Sequence, residues 1–233
     1  MKRLAWISLV LLARIATAQT TVFVGSAVSS GGAPPISDAV NSGENTSGAT
    51  LVFTINPTAS NANVYIATTS YNSGGSSVAS IDVKGTAASV IYRYTTGQDR
   101  VELWYAKGIA SGSGNITITK GDAADECAAA ALAVLGANQT TSNGTESHNS
   151  STDAAPTVTV TSASGELCIA IVGYYNKTLT VNGSGETGRI LNENGAAQLS
   201  ISIITKAGAA STVFDDDLSG TASWWMIGVG IKP

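Results

Sequence analysis

Residues able to carry chemistry are scarce in this chain of 233 amino acids. His148 is the sole histidine, Cys127 and Cys168 are the only cysteines, and no CxxC spacing occurs, so a soft-donor metal centre has no ligand set. A Ser-His-acid hydrolase fails on similar grounds. The one available base stands in a Ser- and Asn-rich stretch, and no GxSxG motif precedes a helical pattern. Charge is thin as well: Asp, Glu, Lys and Arg make up 12% of the chain, roughly half the share usual for a soluble domain. The balance is acidic and the basic residues are nowhere grouped, which argues against nucleic acid as a partner, because phosphate neutralisation needs clustered Lys and Arg. Helical periodicity is missing too, and no run beyond the N-terminus is long and apolar enough to span a bilayer as a helix.

The N-terminus has the three parts of a secretory signal. Lys2 and Arg3 precede the apolar run Leu4 to Ala13, and Ala16-Thr17-Ala18 offers small residues for cleavage. Residues 1–18 are therefore expected to be removed, leaving a secreted chain that begins at Gln19 and is not held to a membrane. Loss of Lys2, Arg3 and Arg14 leaves 9 basic residues against 16 acidic, a formal charge of −7. In such a compartment Cys127 and Cys168 are expected to form one disulfide, which would stabilise by roughly 4 kcal/mol on a chain-entropy basis.

What the chain does contain is strand after strand. The organising stretch is Leu167 to Tyr175, LCIAIVGYY, apolar on both alternating faces: Leu167, Ile169, Ile171 and Tyr175 on one, Cys168, Ala170, Val172 and Tyr174 on the other. Such a run reads as a central strand covered on both sides. Further strands are expected at 20–28, 49–55, 63–71, 78–83, 89–96, 100–107, 115–120, 157–162, 178–183, 188–193, 197–207, 211–214 and 224–232, punctuated by Gly, Pro, Asn and Ser turn chemistry. The alanine-rich segment 126–137 is also read as a strand, because it has no amphipathic stripe. Residues 36–48 and 138–156 read as loops, the second exposed and crowded with N-x-[ST] triplets at Asn138, Asn143 and Asn149. The expected organisation is a signal (1–18), an N-terminal strand with a Gly/Pro linker (19–35), and an antiparallel two-sheet β-sandwich (36–233).

The succession VASIDVKG, VELWYAKG, NITIT, an alanine-rich strand ending LGANQTT, GELCIAIVGYY and a closing SWWMIGVGIKP resembles a β-sandwich module of bacterial secreted and phage-associated proteins. The resemblance covers roughly residues 45 to 233. It implies jelly-roll topology, similar to lectin-like sandwiches, and adhesion or polymer recognition rather than chemistry.

Candidate binding residues follow from the aromatic stock. Glu102 and Trp104 are two apart on one strand and so share a face, placing an acid beside an aromatic plate suited to a sugar ring; Trp224 and Tyr175 are the other aromatic candidates. Glycoside hydrolysis would need a second carboxylate near Glu102, and none follows at i+2 or i+4. Two acidic groups, Asp122 with Asp125 and Glu126, and Asp215-Asp216-Asp217, are rich in oxygen but lack EF-hand spacing, and are read as solvated turns rather than calcium sites. The expectation is thus a secreted protein, not an enzyme and without cofactor or metal, that binds glycan or another cell-surface polymer. The alternative is an extracellular structural subunit that self-associates by exchanging the strand within residues 19–28.

Overall fold

A computed structural model describes residues 33–45, 48–71, 77–123, 126–194 and 199–233. The expected signal and the strand expected at 20–28 lie outside the described residues. All regular structure among the described residues is strand, and all pairing is antiparallel.

The first half contains β1 (Ile36–Asn45), β2 (Thr50–Ile55), β3 (Ala62–Tyr71), β4 (Val78–Val83), β5 (Thr86–Ala87), β6 (Ser89–Thr96), β7 (Asp99–Ile109), β8 (Gly114–Lys120) and β9 (Glu126–Leu135). The second contains β10 (Ser147–Asp153), β11 (Thr157–Val160), β12 (Leu167–Tyr175), β13 (Leu179–Thr180), β14 (Thr187–Asn194), β15 (Leu199–Ala207), β16 (Thr212–Asp215), β17 (Asp217–Leu218) and β18 (Ala222–Ile231). A five-stranded sheet ordered β1-β9-β3-β7-β6 in the first half returns as β10-β18-β12-β15-β14 in the second. Each is backed by shorter strands: β2-β8-β4-β5 behind the first, and the pairs β11-β16 and β13-β17 behind the second. This is jelly-roll connectivity, carried out twice. The antiparallel sandwich expected over 36–233 is therefore built from two equivalent halves whose five-stranded sheets face each other.

Three layers of apolar side chains result. The inner layer lies between the two large sheets, with Tyr65, Leu103 and Leu132 from one and Ile171, Ile203, Trp225 and Ile227 from the other. An outer layer in the first half joins Ile66, Trp104 and Ala131 to Phe53, Ile81 and Ile118. Its counterpart in the second joins Val172, Tyr174, Trp224 and Met226 to Val158 and Phe214. Strand β12 divides its side chains between two layers as its alternation predicts: Leu167, Ile169, Ile171 and Tyr175 face the inner layer, and Cys168, Ala170, Val172 and Tyr174 the outer one. The alanines of β9 are explained the same way, Ala128 and Ala130 facing in and Ala129, Ala131 and Ala133 facing out.

Two segments read as loops are strands. Both β1 and β10 open their half, both are sheet edges, and each pairs only with the last strand of its half. An edge strand with solvent along one side needs no apolar alternation, so ISDAVNSGEN and SHNSSTD carried no periodic signal.

The expected Cys127–Cys168 disulfide is absent; the thiols are not bonded to each other. Cys127 points into the outer layer of the first half and Cys168 into that of the second, so both large sheets stand between them. No side-chain rotation brings sulfurs so placed within bonding distance. Burial also pushes the Cys168 thiol pKa up. Titration of the denatured, unreduced protein should accordingly recover two thiols, whereas the native fold should shield both.

The inner layer is tightest at Gly173, where an added Cβ would come within 2.5 Å of Val101 Cγ2 and 3.2 Å of Thr69 Cγ2. Both neighbours are buried and β-branched, so neither can swing aside cheaply. Gly173→Ala should lower unfolding stability by about 1–3 kcal/mol, read as a lower urea midpoint.

Candidate ligand-binding seam

Stacking the two large sheets brings their edges together along two seams, which the repeated strand order makes equivalent. At one, β1 lies beside β14, and Ser42 Oγ donates to Glu193 Oε2 at 2.8 Å. At the other, β6 lies beside β10, and the furnishing is different. The rings of Tyr92 and His148 stack with centroids 4.1 Å apart and planes 17° from parallel, while Tyr92 Oη and His148 Nε2 are 3.0 Å apart. Two residues along each strand, Tyr94 Oη and Ser150 Oγ form a hydrogen bond of 2.9 Å, and beyond them Thr152 Oγ1 meets Ser223 Oγ at 3.2 Å. The period of two puts these contacts on one side of β10. On its other side Asn149 Nδ2 donates to the Thr157 carbonyl at 3.0 Å, tying β10 to β11.

An open groove runs along each side of β10. The inner one, about 240 Å³, is lined by Tyr94, Thr96, Ser150, Ser151, Thr152, Ser223 and Trp225. The outer one, about 440 Å³, is lined by Ser147, His148, Asn149, Thr157 and Thr159, with Glu146 among them. The floor of the inner groove is an aromatic cluster. Trp225 is 6.3 Å from Tyr94 and 5.9 Å, edge to face, from Tyr175. Tyr175 donates its hydroxyl to Asp99 Oδ1 on the β6–β7 hairpin. Burial, and then the Asp99 carboxylate itself, push the Tyr175 pKa up, so this phenol remains a donor.

Of the residues nominated from sequence, Tyr175 is the one placed at this seam, as support beneath the groove. Glu102 and Trp104 do share a face, and Trp104 Nε1 donates to Glu102 Oε2 at 2.7 Å, but both are buried beneath the small sheet of the first half. Arg93 completes that group, with Nε 3.0 Å from Glu102 Oε1 and its guanidinium 5.5 Å from the Trp104 ring centroid. Burial raises the Glu102 pKa, and the Arg93 charge opposes the rise. The constellation closes a sandwich edge and offers a sugar no open plate. Trp224 is likewise buried, with Nε1 donating to Asp153 Oδ1 at 2.8 Å. The stack of His148 on Tyr92 was not legible beforehand, because it depends on β10 being a strand. The two-residue spacing of Tyr92 and Tyr94 was the available signal.

Asp122 is exposed, as a solvated turn requires, but the second acidic group is not wholly solvated. Asp125 lies outside the described residues. In Asp215-Asp216-Asp217 the outer two are exposed and Asp216 is buried. Among the described residues no three His, Cys, Asp or Glu side chains are grouped to hold a metal ion. Asp216 lies instead beside Glu186, whose Oε1 accepts from Asp215 N–H at 3.2 Å and is 3.3 Å from Lys206 Nζ. Neither Asp216 carboxyl oxygen, nor Glu186 Oε2, has a hydrogen-bond partner of normal geometry. Burial first, and Glu186 second, push the Asp216 pKa up to about 8.

Comparison with family models, curated proteins and solved structures finds no match to this chain.

The Asp216 carboxyl has a consequence for stability. Unfolded, an aspartate titrates near 3.9. Between about pH 4 and 8 the folded state therefore binds more protons than the unfolded one, and stability falls as pH rises through that window. Asp216→Asn removes the ionisation. Its urea midpoint should exceed that of the parent at pH 9, and the fall between pH 5 and pH 9 should be smaller than in the parent.

Proposed function

We propose that this chain is a secreted, non-catalytic module that recognises glycan or another cell-surface polymer through the β6–β10 seam. The observation that carries the reading is the difference between two seams that the strand order makes equivalent. One is closed by a Ser–Glu contact, and the other holds stacked rings, paired hydroxyls and two open grooves. Hydroxyl, amide and ring groups side by side suit a sugar, whose own hydroxyls both donate and accept while its C–H face packs on an aromatic. Shallow, open grooves fit the side of a polymer better than an enclosed small molecule. The resemblance to secreted and phage-associated sandwiches supports the same class of role, as does the signal-like N-terminus.

The test uses exposed positions, so that lost binding is not confused with lost folding. His148→Ala combined with Thr152→Ala takes away a ring and a hydroxyl from exposed sites on β10. In sedimentation with insoluble or bead-coupled polysaccharides, the double variant should be retained at least about tenfold less, roughly 1.4 kcal/mol, with its thermal midpoint nearly unchanged. Trp104→Phe should leave retention as in the parent. Undiminished retention of the double variant would exclude the seam.

A further inference from the structure

We infer that the ligand of the β6–β10 seam is an uncharged polysaccharide lying along β10 and touching both grooves that flank it; this rests on the seam being the recognition site. The first observation is the lining. Inner and outer grooves present Ser, Thr, Asn, Tyr, Trp and His side chains, with Glu146 the single carboxylate and no Lys or Arg among the described lining residues. A sulfated or uronic polymer needs cations to meet its charge, as bidentate Arg or Lys contacts do. Here it would meet the Glu146 carboxylate and the field of a chain of formal charge −4.

The carboxylate carried by β10 itself, Asp153, stands at the end of the strand and is already engaged. Its Oδ1 accepts from Trp224 Nε1 at 2.8 Å and from Ala155 N–H at 2.9 Å. The Ser151 hydroxyl first, and then these two donors, hold Asp153 below the usual carboxylate range. A cationic polymer would therefore meet two carboxylates, Glu146 just before the strand and Asp153 at its end, with none on the residues between. Neutral sugar hydroxyls match the rest, because each lining hydroxyl can donate or accept.

The second observation is extent. The grooves are separated only by β10, which at seven residues is about 23 Å long. Ser147, His148 and Asn149 line the outer groove and Ser150, Ser151 and Thr152 the inner one, so the two grooves follow one another along the strand as well as flanking it. A polymer resting on the strand reaches hydroxyls on both sides.

The experiment measures sedimentation of the full-length mature protein with bead-coupled dextran and mannan as neutral polymers, alginate and dextran sulfate as anionic ones, and chitosan as a cationic one. Retention by a neutral polymer is expected, unchanged between about 0.1 and about 1 M NaCl, over which the Debye length falls from about 10 to about 3 Å. Thr152→Trp in the inner groove and Thr159→Trp in the outer one, both at exposed positions, should each reduce that retention at least about fivefold, roughly 1 kcal/mol, with unchanged thermal midpoints. Retention by charged polymers alone, abolished by salt yet still sensitive to the His148→Ala, Thr152→Ala pair, would overturn the uncharged ligand and leave the seam standing. Loss in only one of the two tryptophan variants would overturn the two-groove span. Retention by none of the polymers would overturn the recognition reading itself.

Discussion

Burial on both faces is the constraint from which this molecule follows. A five-stranded sheet pressed against its twin on one side and against shorter strands on the other has no wet face, so its central strands cannot alternate polar with apolar. Strands β9, β12 and β18 meet that demand by being almost wholly apolar or small, and β3 by adding buried Thr and Ser to its apolar residues. Each large aliphatic side chain fully buried there contributes about 1.5–3 kcal/mol. Where two layers approach most closely, bulk is excluded instead, as at Gly173, and at Gly228, whose added Cβ would come within 2.4 Å of Val160 Cγ2. Charge is relegated to edges and turns, and the few ionisable groups held inside are paired or proton-bearing.

That constraint also decides what was legible in the residues. Leu167 to Tyr175 announced a two-sided strand, and the division of its side chains between two layers came out as the alternation required. Trp225, Ile227, Val229 and Ile231 likewise separate from Trp224 and Met226. Edge strands were illegible because nothing obliges them to be apolar. His148 and Ser150 read as loop residues for that reason, and the candidate site was lost with them. The duplication was hidden for a related cause: packing specifies layers and sizes, and equivalent strands such as ECAAAALAVL and ASWWMIGVGI satisfy it with different residues.

Aromatic residues were the least reliable guide to the site. Trp104 and Trp224 were attractive because large exposed rings mark binding surfaces, yet each fills an outer layer and satisfies its indole N–H on a carboxylate, Glu102 in one case and Asp153 in the other. A buried indole needs such an acceptor, so an acid beside a tryptophan is as much a signature of burial as of sugar binding. The rings stacked at the seam belong to Tyr92 of β6 and His148 of β10, strands from different halves of the chain.

Building one inner layer from both halves also orders events during synthesis. When the ribosome has released residues only as far as β9, every strand of the first jelly roll exists, but Tyr65, Leu103, Leu132 and Val134 face water where β12, β15 and β18 will later lie. That nascent intermediate is a finished sheet with a bare apolar side, the kind of species that aggregates or recruits a chaperone. Its own sequence supplies the cover about a hundred residues later. The second half thus serves the first as a built-in partner whose effective concentration is set by the tether between them, and folding of the whole waits on arrival of the last strand, β18, between β10 and β12.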